Sequence, residues 1–309
     1  MSFVRGFRRC LSSSTVLSSS YSAHPRKTLT DIANKYREGV PISMVTSHDF
    51  LTSRMCEKAG VDIALIGDSL AMTTLGYDDT IELPFDEFLY HVRSVQRGNR
   101  TSLLIADLPF GSFESSTEQA VQSVTQLIKL GKIQGVKIEG GNDSILPTIK
   151  RVVQMGIPVM GHVGLTPQHH NSLGGFKLQG NTIETATQIF NECIQLQKAG
   201  VFSIVLECVP NKLAQYITES LTIPTIGIGA GPDTSGQVLV VADMLGMCDP
   251  ETSHLAKFVK QYDSFFKKGV DAIKQYNDDL VSKKFPLPDE HGYKMKKSVL
   301  EGLKEKTKK

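Results

Sequence analysis

Between residues 42 and 242 the chain alternates short apolar runs with longer stretches in which apolar positions recur every three or four residues. The short runs fall at 42–47, 63–67, 103–107, 136–140, 158–163, 203–208, 224–229 and 237–242. They are rich in Val, Ile and Leu and are bounded by Gly, Pro or Asp, which reads as buried strands. The longer stretches, such as 49–59, 86–98, 117–130, 142–155 and 183–199, predict amphipathic helices. Thr117 marks a capping-box start, and Gly60, Gly131, Gly156 and Gly200 supply the glycine that often closes a helix. Eight strands alternating with helices predict an α/β fold, a closed parallel (β/α)8 barrel of the TIM type. The alternative is an open doubly wound sheet, which would carry a glycine-rich phosphate loop after its first strand. Here the first strand runs into Ser47, His48, Asp49 and Phe50, and the one Gly-rich loop, Gly227 to Gly231, follows the seventh. No internal repeat or interdomain linker stands out. Residues 26–288 therefore read as one barrel domain. Two further helical patterns, 255–266 and 269–283, are expected to pack on the barrel's outside or on a neighbouring subunit.

The two ends differ in kind. Residues 1–25 hold Arg5, Arg8, Arg9, many serines and no acid, and an apolar face can form from Phe3, Val4, Phe7 and Leu11. That composition describes a mitochondrial presequence and predicts a matrix location, with a disordered tail as the alternative. Residues 289–309 form a basic tail; its last 16 residues carry seven lysines and two glutamates. Over the whole chain 34 basic residues face 32 acidic ones. Removing the three leader arginines from the 34 leaves 31 against 32, so the basic excess belongs to the leader. A balance this close to neutral argues against a nucleic-acid partner, and no apolar run reaches membrane-spanning length. The expected partners are small molecules. Five cysteines without C-x-x-C spacing suggest neither a disulfide framework nor a zinc ribbon.

Barrel enzymes place their chemistry at the C-terminal ends of the strands. Those ends carry Asp68 and Ser69, then Asp107, then Lys137 and Glu139, then His162, then Glu207. Burying so many charges is costly unless they pair or hold a metal; a purely structural ion-pair cluster is the plain alternative. Lys137 and Glu139 are two apart and share a strand face. Asp68, Asp107 and Glu139 make an all-oxygen set suited to a hard cation such as Mg2+. A cation beside Lys137 favours an anionic chelate, for instance a 2-oxo acid, whose enolate it stabilises. Glu207 is a candidate base for the proton removed. His162 can touch ligand from its strand end. Ser69 reads equally as a carboxylate donor or a helix cap. His169 and His170 read as ordinary loop residues, and Cys208, alternating away from Glu207, as packing.

Several blocks together resemble the ketopantoate hydroxymethyltransferase family. They are Gly67-Asp68-Ser69, Ala106 to Phe110, Val136 to Gly141, Gly161 to Gln168, Gly174 to Gly180, Leu206 to Pro210 and Gly227 to Gly231. Their order and spacing match over about residues 28–288. The resemblance implies a (β/α)8 barrel of the phosphoenolpyruvate/pyruvate superfamily type. It implies transfer of a hydroxymethyl group from 5,10-methylenetetrahydrofolate to 3-methyl-2-oxobutanoate, giving 2-dehydropantoate for pantothenate and coenzyme A. It implies Mg2+ on Asp68, Asp107 and Glu139, and substrate contacts from Asp68, Ser69, Asp107 and Lys137. Glu207 is then the proton acceptor and His162 lines the pocket. Family members are commonly decamers, so a homo-oligomer is expected. Two departures stand out: His48, where many bacterial members carry an aromatic residue, and Ser235, where many carry an acid. The leader suggests a eukaryotic, fungal-type member. Two rivals remain: a lyase of the related pyruvate superfamily, which would need no folate, and a catalytically silent barrel.

Overall fold

The computed structural model describes residues 26–308, so the presequence reading of 1–25 lies outside the described residues. Two compact units form, one ending at Val240 and the other starting at Val241; the sequence reading drew one domain through 288.

The first unit is the barrel. Its strands are β1 Ile42–Thr46, β2 Ile63–Ile66, β3 Leu103–Asp107, β4 Gly135–Glu139, β5 Val159–Gly164, β6 Ser203–Glu207, β7 Thr225–Ile228 and β8 Gly236–Leu239. They pair in sequence order, all parallel, and β1 closes onto β8 through Ile42↔Gly236 to Val45↔Leu239. Closure leaves no free sheet edge. The period of two divides each strand between two cores. Ile63, Leu65, Leu103, Ile105, Met160 and Val205 point inward and fill the barrel. Ala64, Ile66, Leu104, Ala106, Val136, Ile138, Ile204 and Leu206 point outward against the helices. Lys137, Glu139, His162 and Glu207 fall on the inward phase at the C-terminal ends, where the apolar filling stops.

The helices Phe50–Lys58, Phe85–Gly98, Thr117–Lys129, Leu146–Gln154, Ile183–Ala199 and Asn211–Ser220 follow the strands in order. Asp49 caps the first of them, its carboxylate accepting from the Thr52 amide. Ser116, not Thr117, caps the helix Thr117–Lys129, accepting from the Gln119 amide; three residues on from Ser116 stands Gln119, whereas three on from Thr117 stands Ala120, so the capping-box spacing belongs to Ser116. The sequence reading also misses the helix Leu29–Arg37, which precedes β1 with a Thr28 capping box. The short π-helical turn Ala71–Leu75 after β2 is a second omission. β8 stops at Leu239, short of 242, because Val241–Leu245 turns helical.

The second unit has the long helix Phe265–Val281 and, beyond it, Lys297–Thr307. The helix predicted over 255–266 is not formed before Phe265: residues 256–264 are a turn and irregular chain. No residue of either long helix is buried.

Candidate active site

The strand register sets the site. Asp107 on β3 lies opposite Lys137 on β4, and Glu139 opposite His162 on β5. Gly164 lies opposite Glu207 on β6. Ionisable side chains from four consecutive strands, β3 to β6, thus share the inner face, joined by Asp68 just beyond β2. The Lys137 ammonium bridges Asp107 Oδ1 at 3.0 Å and Glu139 Oε1 at 3.6 Å. The Asp68 amide donates to Asp107 Oδ2 at 2.9 Å. His162 Nδ1 sits 3.1 Å from the Lys137 Nζ and 3.4 Å from Glu139 Oε1, and Nε2 sits 3.2 Å from Glu207 Oε2. The structure therefore brings together Asp68, Asp107, Lys137, Glu139, His162 and Glu207, and all but Glu207 are buried.

Ser69 is placed differently. Its hydroxyl lies 3.4 Å from Nε2 of buried His48, and it caps no helix by its side chain. His48 Nδ1 reaches Thr74 Oγ1 at 3.0 Å. Burial, with His91 nearby, pushes His48 down to about 4, so it stays neutral. The Cys208 thiol is pushed up to about 12 by burial and then by Glu207. It is therefore no thiolate nucleophile, in keeping with a packing role.

The charge balance of the cluster is uneven. Burial first, then Asp107 and Glu139, push the Asp68 carboxyl well above the usual range, against Lys137 and the Gln168 amide. Burial also opposes charge on Lys137, but Asp107, Glu139 and Asp68 outweigh it and hold the ammonium protonated. For Glu139, His162 and Lys137 overcome burial and lower the carboxyl. Burial and Lys137 disfavour an imidazolium at His162, yet the two glutamates win and raise it to about 9.

Sequence reasoning missed Gln168. Its Nε2 donates to Asp68 Oδ2 at 2.8 Å and to the Leu108 carbonyl at 2.9 Å, and its backbone amide donates to Glu139 Oε2 at 3.1 Å. It lies in the short turn Pro167–His169, directly after β5. A polar residue following Thr166 and Pro167 in a loop gave no sign that it would be buried. His170, read as an ordinary loop residue, stacks on Phe176 with centroids 5.4 Å apart and approaches Asp79 at 3.5 Å.

Among the described residues no three carboxylate, imidazole or thiol groups already stand close enough to enclose an ion. The chemistry of the set nevertheless suits a hard cation. Asp107 Oδ1 and Glu139 Oε1 are buried and accept no well-formed hydrogen bond; their counter-charge comes from Lys137. Beside Glu139 and Gly140 a cavity of about 480 Å3 opens, bounded by Phe113 to Thr117, Asn142, Ser144 and His169. That volume suits a small-molecule ligand.

A closed parallel barrel that gathers acids and a lysine at its C-terminal mouth has the layout of a barrel enzyme. Solved structures with the same fold include phosphonopyruvate hydrolase in complex with oxalate and Mg2+, at 11% identity and a TM-score of 0.56 over 91% of this chain and 96% of that one. Another is 2,3-dimethylmalate lyase of the PEP mutase/isocitrate lyase superfamily, at 13% identity and 0.53 over 90% and 97%. At such identities the likeness shows the fold alone.

The sequence relationship goes further. The model of the family described as ketopantoate hydroxymethyltransferase matches residues 26–288. The 3-methyl-2-oxobutanoate hydroxymethyltransferase of Emericella nidulans is 45% identical over 280 residues, covering 90% of this chain and 79% of that protein. The protein of that name from Saccharomyces cerevisiae is 43% identical, covering 94% of each. 3-Methyl-2-oxobutanoate hydroxymethyltransferase 1, mitochondrial, from Arabidopsis thaliana is 44% identical over 90% and 81%. The chain belongs to the ketopantoate hydroxymethyltransferase family and is a transferase.

Proposed function

We propose that this protein transfers a hydroxymethyl group from 5,10-methylenetetrahydrofolate to 3-methyl-2-oxobutanoate, giving 2-dehydropantoate, the first step of pantothenate biosynthesis. The observation that carries the chemistry is the continuous chain of contacts from Asp107 through Lys137, Glu139 and His162 to Glu207. It sets fixed positive charge at one end and a carboxylate base at the other. Asp68, Asp107 and Glu139 would hold Mg2+, which when bound supplies positive charge to the substrate's carboxylate and ketone oxygens and acidifies the neighbouring C–H. Lys137 adds a second positive charge. Ser69 and Asp68 bind and orient the 2-oxo acid. Glu207 takes the proton from C3, and His162 holds its carboxylate in place. The C3 carbanion equivalent then forms a bond to the methylene carbon. In the net balance the C3–H bond breaks, water supplies the hydroxyl oxygen, and tetrahydrofolate leaves with its nitrogens reprotonated.

Residues 1–25 direct the protein to the mitochondrial matrix in this reading, as the name of the Arabidopsis relative supports. Ile273, Tyr276, Leu280 and Val281 line one exposed apolar face of the helix Phe265–Val281. That face supports a homo-oligomer, of which the family's decamer is the specific form.

The test is to incubate the protein with Mg2+, 3-methyl-2-oxobutanoate and 5,10-methylenetetrahydrofolate and look for 2-dehydropantoate by mass spectrometry, with and without EDTA. Product that vanishes with EDTA is expected. Exchange of the C3 proton with D2O but no product would point to another electrophile and a lyase-type reaction. Folded protein showing neither would return the silent barrel.

A further inference from the structure

Gln168 is 4% exposed, yet among the described residues it carries the one side-chain amide hydrogen-bonded to the acid cluster. Its three hydrogen bonds run to three different segments: to Asp68 after β2, to Leu108 after β3 and to Glu139 at the end of β4. Both acceptors of Nε2 are oxygens, a carboxylate and a main-chain carbonyl. An amide flipped to present Oε1 would meet them oxygen to oxygen, so the orientation of the NH2 group is settled by its surroundings. With both N–H bonds spent, Gln168 fixes the plane of the Asp68 carboxylate against the backbone of β3. Its main-chain amide fixes Glu139 Oε2 at the same time and leaves Oε1, the oxygen nearer Lys137 and His162, without a hydrogen bond.

We propose that Gln168 is a positioning residue that sets the two outer carboxylates, Asp68 and Glu139, at the separation and rotation needed to share one divalent cation. The inference rests on the Mg2+ reading above and extends it to a residue that touches no substrate atom. The physical need is plain. Asp68 and Glu139 repel each other in a buried site, and Asp68 has no lysine within ion-pair distance among the described residues. Left free, its side chain would rotate away from the other carboxylates. The Gln168 amide offsets that repulsion with a neutral donor, which a cation can then join without competing for a counter-ion. Residues that orient ligating carboxylates in this way commonly affect metal affinity by about 10–100-fold.

The experiment compares the wild-type chain with Gln168→Ala and Gln168→Glu. Mg2+ is titrated by calorimetry in the absence of any organic substrate, and each protein's melting temperature is recorded. Ala keeps the main-chain bond to Glu139 and removes only the hold on Asp68; about 10-fold weaker Mg2+ binding is expected. Glu keeps the volume but sets a carboxylate against Asp68, and a loss nearer 100-fold is expected. Thr166→Ala, which changes the residue that caps the same turn and whose carbonyl accepts from the His169 amide, should bind Mg2+ as wild type does. Should both Gln168 variants melt early, the Thr166 control and titration well below the melting temperature separate folding from affinity. Wild-type-like Mg2+ affinity in folded Gln168→Ala and Gln168→Glu overturns the assignment while leaving the metal reading intact. No Mg2+ binding by the wild type overturns the metal reading and the assignment with it.

Discussion

Replacing Asp62 by Asn removes a buried carboxylate at the opposite, N-terminal end of the barrel. Asp62 immediately precedes β2 and is 1% exposed. It accepts from Lys27 Nζ at 2.7 Å, Lys35 Nζ at 2.6 Å, the Ser43 amide at 2.9 Å and the Ser43 hydroxyl at 3.0 Å. It therefore ties the helix Leu29–Arg37 and the segment before it to β1 and β2. Burial alone would raise this carboxyl, but Lys27, Lys35 and Ser43 outweigh it and bring it from 3.8 to about 2. At about 1.4 kcal/mol per pH unit, that is about 2.5 kcal/mol of stability. Each lysine side chain is about one-third exposed, so screening lowers the expectation to roughly 1.5–2.5 kcal/mol. The folded carboxyl is the stronger acid. Its contribution is therefore full above the unfolded value near 3.8, about half gone near pH 3, and lost as pH falls through about 2. Urea unfolding of wild type and Asp62→Asn, followed by circular dichroism at about pH 7 and about pH 3, measures this. The gap between the two proteins should narrow by about half on acidification. A gap below about 0.5 kcal/mol at neutral pH, or one unchanged by acid, would refute the argument that paired charge, not shape, makes Asp62 stabilising.

Three further outcomes follow from the C-terminal mouth. Glu207→Gln should slow C3 proton exchange by at least about 100-fold while the 2-oxo acid still binds; exchange at the wild-type rate in D2O would remove Glu207 from the base role. Asp107→Asn should weaken Mg2+ binding by about 10–100-fold or more, read by calorimetry, and an unchanged titration would argue against it as a ligand. Gly164→Ala would set a Cβ 2.2 Å from the Glu207 carbonyl oxygen at a backbone φ of +93°, so β5 and β6 must separate where Glu207 is held. It should cost roughly 1–3 kcal/mol in unfolding experiments and lower proton exchange more than it lowers substrate binding; a stable variant with wild-type exchange would contradict that reading.

The parts that follow from periodicity were legible in the sequence. Strands such as Leu103–Asp107 and Ser203–Glu207 are short β-branched or Leu runs whose alternation decides which residues face inward. Once the barrel was read, Lys137 and Glu139 had to share the inner face with Asp107, His162 and Glu207. The misses are residues whose setting depends on distant chain. Residues 255–266 have helical spacing, yet the helix begins only at Phe265, because the segment before it is turn and irregular chain, its Tyr262 amide donating to the Met244 carbonyl. Gln168 is uncharged and sits in a turn, and its importance comes from oxygens 60 and 100 residues away. His48 drew attention as a departure from the family pattern, but that it would be buried against Ser69 and Thr74 could be seen only in the fold. Local pattern fixes which face a side chain takes, and only tertiary packing fixes which partner it meets.

The two ends of the barrel show opposite electrostatics, and the contrast explains where the chemistry lies. At the N-terminal end one carboxylate, Asp62, faces two lysines and two donors from Ser43, and its acidity is strengthened. That end is satisfied by the chain alone. At the C-terminal end Asp68, Asp107, Glu139 and Glu207 share one lysine and one histidine, and Asp68 is driven the other way, toward its neutral form. Folding leaves this end short of positive charge and gives it no internal remedy. A buried deficit of that kind costs stability, and only a ligand that brings positive charge can relieve it. In the proposed function this deficit is what favours a cation and the anionic substrate it carries, whereas the Asp62 cluster, satisfied by its own lysines and serine, serves the fold.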